Sequence, residues 1–326
     1  MKAFSNIQFV SYSRLWLIVI HFLIVIILSA CSSSDSAVPF VPKNTLEGKV
    51  FVLGAQDDGF GNLVLYANGT DLEGAVLTVA DLQTASVSVG EETYINRDGS
   101  LAITAVAAED KVLSLGLVTD NSSSIDDDFQ LVADVFTQML DNMPQVYEAQ
   151  VMTFSDDYEI QQVWTEDLPA IKTALTNLHS LRNKTALYDS MGAALEGDLN
   201  ITGLIERCRP AHMLVVFTDG DDNMSSVYSD TIVGSIVDND KTIVIMLATS
   251  DALPDVLNTL VGDNGAVVQV TDPTSLVAEV ASWSASLNNI VKFTLSGVVT
   301  AGKAVSITIG SQTVDVDVDS SSLCTL

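Results

Sequence analysis

The chain has 326 residues, long enough for one or two domains with a core, and 48% hydrophobic against 17% charged residues excludes a disordered acidic tail. With 42 Asp and Glu against 14 Lys and Arg the net charge is −28, a surface that repels phosphate backbones and excludes nucleic acid as a main partner. Three cysteines cannot build a disulfide framework or a Cys-rich zinc site, and three histidines leave little for His-based catalysis.

In chain order, residues 1–30 read as a secretory signal. Lys2 and Arg14 precede the apolar run Leu15–Leu28, which at about 14 residues is shorter than the roughly 20 of a membrane span. The run breaks at Leu28-Ser29-Ala30-Cys31 and turns polar. These four residues resemble the lipobox of bacterial lipoproteins. The resemblance implies cleavage before Cys31 and acylation of its thiol and new amine, so that several acyl chains give stable anchoring where one is marginal. An uncleaved signal anchor and an ordinary signal peptide are the alternatives. Ser32 after the cysteine points to the outer membrane of the cell envelope, with the periplasmic or surface face left open. The mature chain would carry 12 basic against 42 acidic residues, −30, so attachment to anionic lipid has to come from the acyl chains. Residues 31–45, with Pro39 and Pro42, read as a tether.

Residues 46–110 read as β-rich. Short runs at Lys49–Leu53, Leu63–Tyr66 and Ala75–Val79, and alternation at Ala85–Val89 and Leu101–Ala105, are separated by Asn68-Gly69, Asp98-Gly99 and Gly59-Phe60-Gly61 turns. Over 111–290 the rhythm changes. Val112–Thr119, Ala149–Phe154, Met213–Phe217, Ile243–Ala248 and Ala266–Val270 read as buried strands, and Glu159–Trp164 as an antiparallel edge strand. Helices are expected over Asp126–Met143, after Asp167 and Pro169, as one or two pieces within Ala186–Arg207, and after Asp272-Pro273 with Leu276, Val280 and Trp283 inward. The expectation is an α/β fold, a mostly parallel sheet with helices on both faces. Residues 291–326 return to β and are expected to rejoin the 46–110 strands as a small β-rich domain.

Ligands of open parallel sheets sit beyond the carboxyl ends of the strands. After the first α/β strand comes Asp120-Asn121-Ser122-Ser123-Ser124, after Met213–Phe217 comes Thr218-Asp219-Gly220, and Asn183-Lys184-Thr185 enters a helix between them. Asp120, Ser122 and Ser124, spaced i, i+2, i+4, can aim one carboxylate and two hydroxyls at a point. Thr185 adds a hydroxyl and Asp219 a second carboxylate. An oxygen-only set suits a hard cation, Mg²⁺ or Mn²⁺, with Ca²⁺ as a further choice. Two carboxylates balance a divalent ion, leaving a place for an acidic side chain from another molecule.

These residues resemble the von Willebrand factor type A (VWA) domain and its metal-ion-dependent adhesion site, over about residues 111–290. The resemblance implies a Rossmann-like fold, direct metal contacts from Asp120, Ser122 and Ser124, contacts from Thr185 and Asp219 that are direct or through water, and a protein partner presenting an acidic side chain. Lys184, where glycine is common, is a departure that can crowd the site. A degenerate site, with the hydroxyls capping helices, is the alternative.

Asp126, Asp127 and Asp128 read as acids at a helix N-terminus, with a second, adjacent cation site as the alternative; Asp221 and Asp222 as a solvated loop, with support of the metal ligands as the alternative; and Asp315, Asp317 and Asp319 as a wet strand face, with a calcium site as the alternative. Cys208 and Cys324 are candidates to pair in an oxidising compartment; a buried small residue or a free tail thiol is the alternative. Catalysis finds no support. Aspartyl phosphohydrolase chemistry needs Asp-x-Asp after the first strand, where Ser122 stands. No Gly-rich dinucleotide turn and no Ser-His-Asp set is legible. The reading is a binding module, with an assembly role in an envelope complex as the alternative and a Mg²⁺-dependent hydrolase as the remote one.

Overall fold

The computed structural model describes residues from Lys43 to Val318, apart from 45–47, 59–60, 72–74, 126–128, 144, 180–183, 200, 241, 250–251, 272, 299, 301–302 and 317. The signal, Cys31, Asp126, Asp127, Asp128, Asp317, Asp319 and Cys324 therefore lie outside the described residues.

The centre is a seven-stranded sheet in the order β1-β12-β11-β10-β7-β8-β9. These strands are β1 (Lys43–Asn44), β7 (Leu113–Asp120), β8 (Val146–Phe154), β9 (Tyr158–Thr165), β10 (Ala211–Thr218), β11 (Ile243–Thr249) and β12 (Ala266–Val270). The five inner strands pair in parallel, and the edge strands β1 and β9 are antiparallel to their neighbours. Every residue of β7, β11 and β12 is buried, as both-face coverage demands of a continuous apolar run. β9 keeps a half-exposed pattern, which is why it alternates.

One face is covered by α1 (Phe129–Asn142), α2 (Leu168–Thr176) and α6 (Pro273–Ser286), which bury Phe129, Phe136, Ile171, Leu276 and Val280 against it. The other is covered by α3 (Leu187–Glu196), α4 (Asp230–Asp240) and α5 (Pro254–Val261), through Leu187, Met191, Val233, Leu257 and Leu260. Asp167 caps α2 by accepting from Ala170 N, with Pro169 in the first turn. The Trp283 side chain lies outside the described ones.

The flanking segments meet as two four-stranded antiparallel sheets. One is ordered β2-β3-β13-β6, from β2 (Val50–Asp57), β3 (Asn62–Gly69), β6 (Leu101–Ala105) and β13 (Val291–Ser296). The other is ordered β15-β14-β4-β5, from β4 (Ser86–Val89), β5 (Glu92–Ile95), β14 (Val305–Ile309) and β15 (Gln312–Val316). The C-terminal strand β13 lies between β3 and β6, and β14 pairs with β4, so the two ends of the chain share a core of Leu65, Val87, Phe293 and Ile307. The outer face of β2 and β3 gives Phe51, Leu53, Val64 and Tyr66 to the α/β core.

That junction sits at the amino ends of the parallel strands. A Cβ on Gly54 would fall 1.3 Å from Pro210 O, just before β10, so only glycine permits this approach. Lys49 Nζ donates to Asp263 O (3.1 Å) and to Gly265 O, just before β12.

Three expectations differ. Ala75–Val79 is not a strand: beyond one bridge between Thr70 and Val76, its amides are taken by side chains, Ala75 N by Asp71 and Thr78 N by Asp81. Helix α2 stops at Thr176, so Leu178, which the spacing of Leu168, Ile171 and Leu175 places on the same apolar stripe, lies beyond the helix. Lys43–Asn44, at the end of the expected tether, extends the central sheet. The one or two helical pieces expected within Ala186–Arg207 are met by one α-helix, ended by Gly197 at φ 80°, and a short 3-10 turn at Leu204–Glu206. Asp315 is exposed on β15.

Candidate metal centre

Strand β7 ends at Asp120, whose side chain is fully buried. Its Oδ1 accepts from Ser122 N (2.8 Å), which folds the chain into a tight turn. Asn121 N donates to Phe154 O (2.8 Å) and fastens that turn to the end of β8. Within the turn Ser122 Oγ and Ser124 Oγ stand 2.9 Å apart. Asp120, Ser122 and Ser124 thus gather at one point, as their spacing predicts.

Strand β10 runs beside β7, with Phe217 opposite Thr119, so Asp219 leaves the sheet next to Asp120. Thr218 Oγ1 donates to Asp120 Oδ2 (3.2 Å) and also bonds Gly220 O (3.0 Å). Asp219 is half-buried, and its carbonyl accepts from Thr249 Oγ1 (3.0 Å). Thr185, buried just before α3, is held by its backbone: its N–H donates to Asn223 Oδ1 (3.1 Å) and its carbonyl accepts from Asn223 N (2.9 Å). The next amide, Ala186 N, donates to Ser155 O (2.7 Å) at the end of β8. All five expected residues therefore sit on segments joined to one another at the carboxyl end of the sheet. Asp120, Ser122 and Thr185 form a buried floor, with Ser124 exposed and Asp219 half-exposed at the rim.

Four further residues hold this arrangement: Asn223 and Asp189, to which the sequence reading gave no role, and Asp221 and Asp222, which it took as a solvated loop. Asn223 fixes Thr185, as above. Asp222 accepts from Tyr188 N (3.1 Å), Ser225 N (3.1 Å) and Ser225 Oγ, so it is not a solvated loop residue. Asp221 likewise accepts from Leu253 N (2.8 Å). Asp189 accepts three successive amides, Ser226 N, Val227 N and Tyr228 N, at 2.7–2.9 Å. The Asp-x-x-Ser spacing of Asp222 and Ser225 was the available signal. Lys184, the departure in the motif, is exposed, and its Nζ lies 3.5 Å from Met224 Sδ.

Burial pushes the Asp120 carboxyl up to about 7, against the hydrogen bonds from Ser122 and Thr218, and the charge of Asp219 adds to the rise. Among the described residues no three His, Cys, Asp or Glu side chains are grouped so as to hold a metal ion by themselves. The set is two carboxylates and three hydroxyls, which a hard divalent cation fits: it supplies the positive charge that a buried carboxylate beside a second acid calls for.

Residues 115–282 match the sequence profile of the von Willebrand factor type A domain. The chain belongs to this family, whose domains generally bind protein partners and whose adhesion sites bind a divalent metal. No curated protein matches it in sequence. Among solved structures, proximal thread matrix protein 1 from the mussel byssus aligns at 18% identity over 57% of this chain and 48% of its own, with a TM-score of 0.46. A form of that protein with a zinc-occupied MIDAS motif aligns at 18% over 59% and 49%, TM-score 0.46. A von Willebrand factor type A protein from Catenulispora acidiphila aligns at 9% over 85% and 74%, TM-score 0.44. The chain spans about half the length of the mussel protein it matches. Cys208 is disulfide-bonded, and its expected partner Cys324 lies outside the described residues.

Proposed function

We propose that this chain is a lipid-anchored protein of the bacterial cell envelope that grips a protein partner through a divalent ion, Mg²⁺ foremost. Asp120, Ser122, Ser124, Thr185 and Asp219 would hold the ion, and a carboxylate of the partner would complete its coordination. The observation that carries the reading is the shape of the donor set: a buried floor of Asp120, Ser122 and Thr185 under an exposed rim, at the carboxyl end of the central sheet. The bound ion supplies positive charge at the mouth. The residues of the chain orient it: Thr218 and Ser122 N fix the Asp120 carboxylate, and Asn223 fixes Thr185. The anchor is Cys31, from the lipobox resemblance, and the outer membrane is the proposed location.

An assembly subunit of an envelope complex would use the same chemistry on a different partner. Capture from envelope extracts with Mg²⁺ and with EDTA tests both. Partner recovered in Mg²⁺, lost in EDTA and lost with Asp120→Ala supports the reading; equal recovery in all three overturns it.

A further inference from the structure

Beside the metal centre a cleft of about 450 Å³ opens between the β8–β9 turn, α3 and the loop after β10. Asp189 on its wall lies in the first turn of α3, four residues along the chain from Thr185. Its lining includes Asp156, Asp157 and Asp198, the rings of Tyr158 and Tyr228, and the exposed Val227; among the described residues it has no Lys, Arg or His, and the Lys184 ammonium lies 3.5 Å from the lining Met224.

The acids differ in what they do. Asp189 is committed to the loop amides, and Asp198 accepts from Tyr158 OH and from Ile201 N (3.1 Å). Asp157 takes only the adjoining Tyr158 N (2.8 Å) among side-chain bonds, and Asp156 has no hydrogen bond or ion pair among the described residues. Burial, then the bond to Asp198 and the charges of Asp198 and Asp157, hold the Tyr158 phenol far above its ordinary range. Burial, then the bond to Glu196 and nearby acids, raises Tyr228 as well. Both phenols stay neutral in a field that is negative.

A cavity this large is roomy for a bare ion, and a purely apolar side chain would strand the carboxylates. An extended cationic side chain answers each feature: acids for its charge, tyrosines and Val227 for its methylene stem and for cation–π attraction.

We propose that this cleft receives a lysine or arginine side chain of the partner whose carboxylate meets the metal centre. The recognised segment then carries an acid and a base close together. This rests on the metal-bridged reading for its partner, and the cleft itself can be tested without metal.

The probe is N-acetyl-arginine amide, titrated into the full chain in detergent micelles, with N-acetyl-citrulline amide as the uncharged control and the Val227 methyl signals as readout. Saturable binding is expected in EDTA and in Mg²⁺ alike, about tenfold tighter than the control, and severalfold weaker between 50 and 500 mM salt, values set here as on the order of what screening removes. Asp156→Lys, on an exposed side chain, should abolish it, and Asp157→Asn should weaken it. Citrulline binding as well as arginine, or Asp156→Lys binding unchanged, overturns the proposal. Arginine binding with no Mg²⁺ binding would sink the metal reading and leave the cleft standing; Mg²⁺ binding with no arginine response would do the reverse.

Discussion

Replacing Asp120 by Asn should stabilise the metal-free protein and remove its response to metal. The Asp120 carboxyl is wholly buried, and burial lifts it from 3.8 to about 7. The gap is worth about 4 kcal/mol at 1.36 kcal/mol per pH unit, and water entry into an empty site reduces this to about 2–4 kcal/mol. The folded value lies above the unfolded one. The stability tied to the neutral carboxyl is therefore fully present below about pH 4 and is lost as pH rises through about 7. Asn fits the site: its oxygen can accept from Ser122 N, and its amide can donate to Thr218 Oγ1, which turns its own proton to Gly220 O. Urea unfolding of both proteins in EDTA, from pH 4 to 8, isolates this one carboxyl because the other acids cancel in the difference. The curves should coincide near pH 4 and separate in favour of Asn by pH 7.5. In Mg²⁺ at 100 times its dissociation constant the wild type should gain about 2.7 kcal/mol and the variant far less. An Asn variant less stable than wild type in EDTA at pH 7.5, or one gaining as much from Mg²⁺, refutes the reasoning.

Asn223→Ala removes both the acceptor for Thr185 N and the order of its loop; it should cost about 1–2 kcal/mol and weaken Mg²⁺ binding, read by calorimetry, with no change at all arguing that Thr185 is held by other means. Asp189→Ala strands the half-buried Tyr228 amide and should cost about 2–3 kcal/mol in urea, with faster hydrogen exchange confined to residues 226–228. Arg207→Ala leaves the buried Glu148 with only Ser114 Oγ and should cost about 3 kcal/mol, where Glu148→Gln in addition recovers part of the loss. Gly54→Ala drives a Cβ into Pro210 O and should cost about 3 kcal/mol or more while leaving the Mg²⁺ dissociation constant unchanged, since the clash lies at the far end of the sheet.

The sequence was readable where one local rule decided the outcome. The fully buried strands appear as unbroken apolar runs because helices cover both faces, and the β9 alternation marks its wet edge. The motif Asp120-x-Ser122-x-Ser124 closes on itself within five residues, so its convergence follows from the turn alone. What stayed hidden depends on distant segments. Asn223, Asp222 and Asp189 act across 34 to 39 residues of chain, and their partners are backbone amides, which leave no trace in residue type. Strand β5 (Glu92–Ile95) offers no apolar face, being exposed at three of its four positions, and exists because β4 pairs with it. At 75–79 the apolar pattern is genuine, but Asp71 and Asp81 capture the amides that a ladder would need.

The net charge and the two sites bear on one another. A chain at −28 repels a purely acidic ligand before any contact forms, and a bound divalent ion changes that sum only slightly at long range. A segment pairing an acid with a base would be neutral overall and escape the repulsion, and on the two proposals above its acid would go to the metal centre and its base to the cleft lined by Asp156 and Asp157. The two contacts should also answer salt in opposite senses. Screening relieves the repulsion felt by the acid and weakens the attraction felt by the base, so binding of the paired segment should vary less with ionic strength than binding of either charge alone.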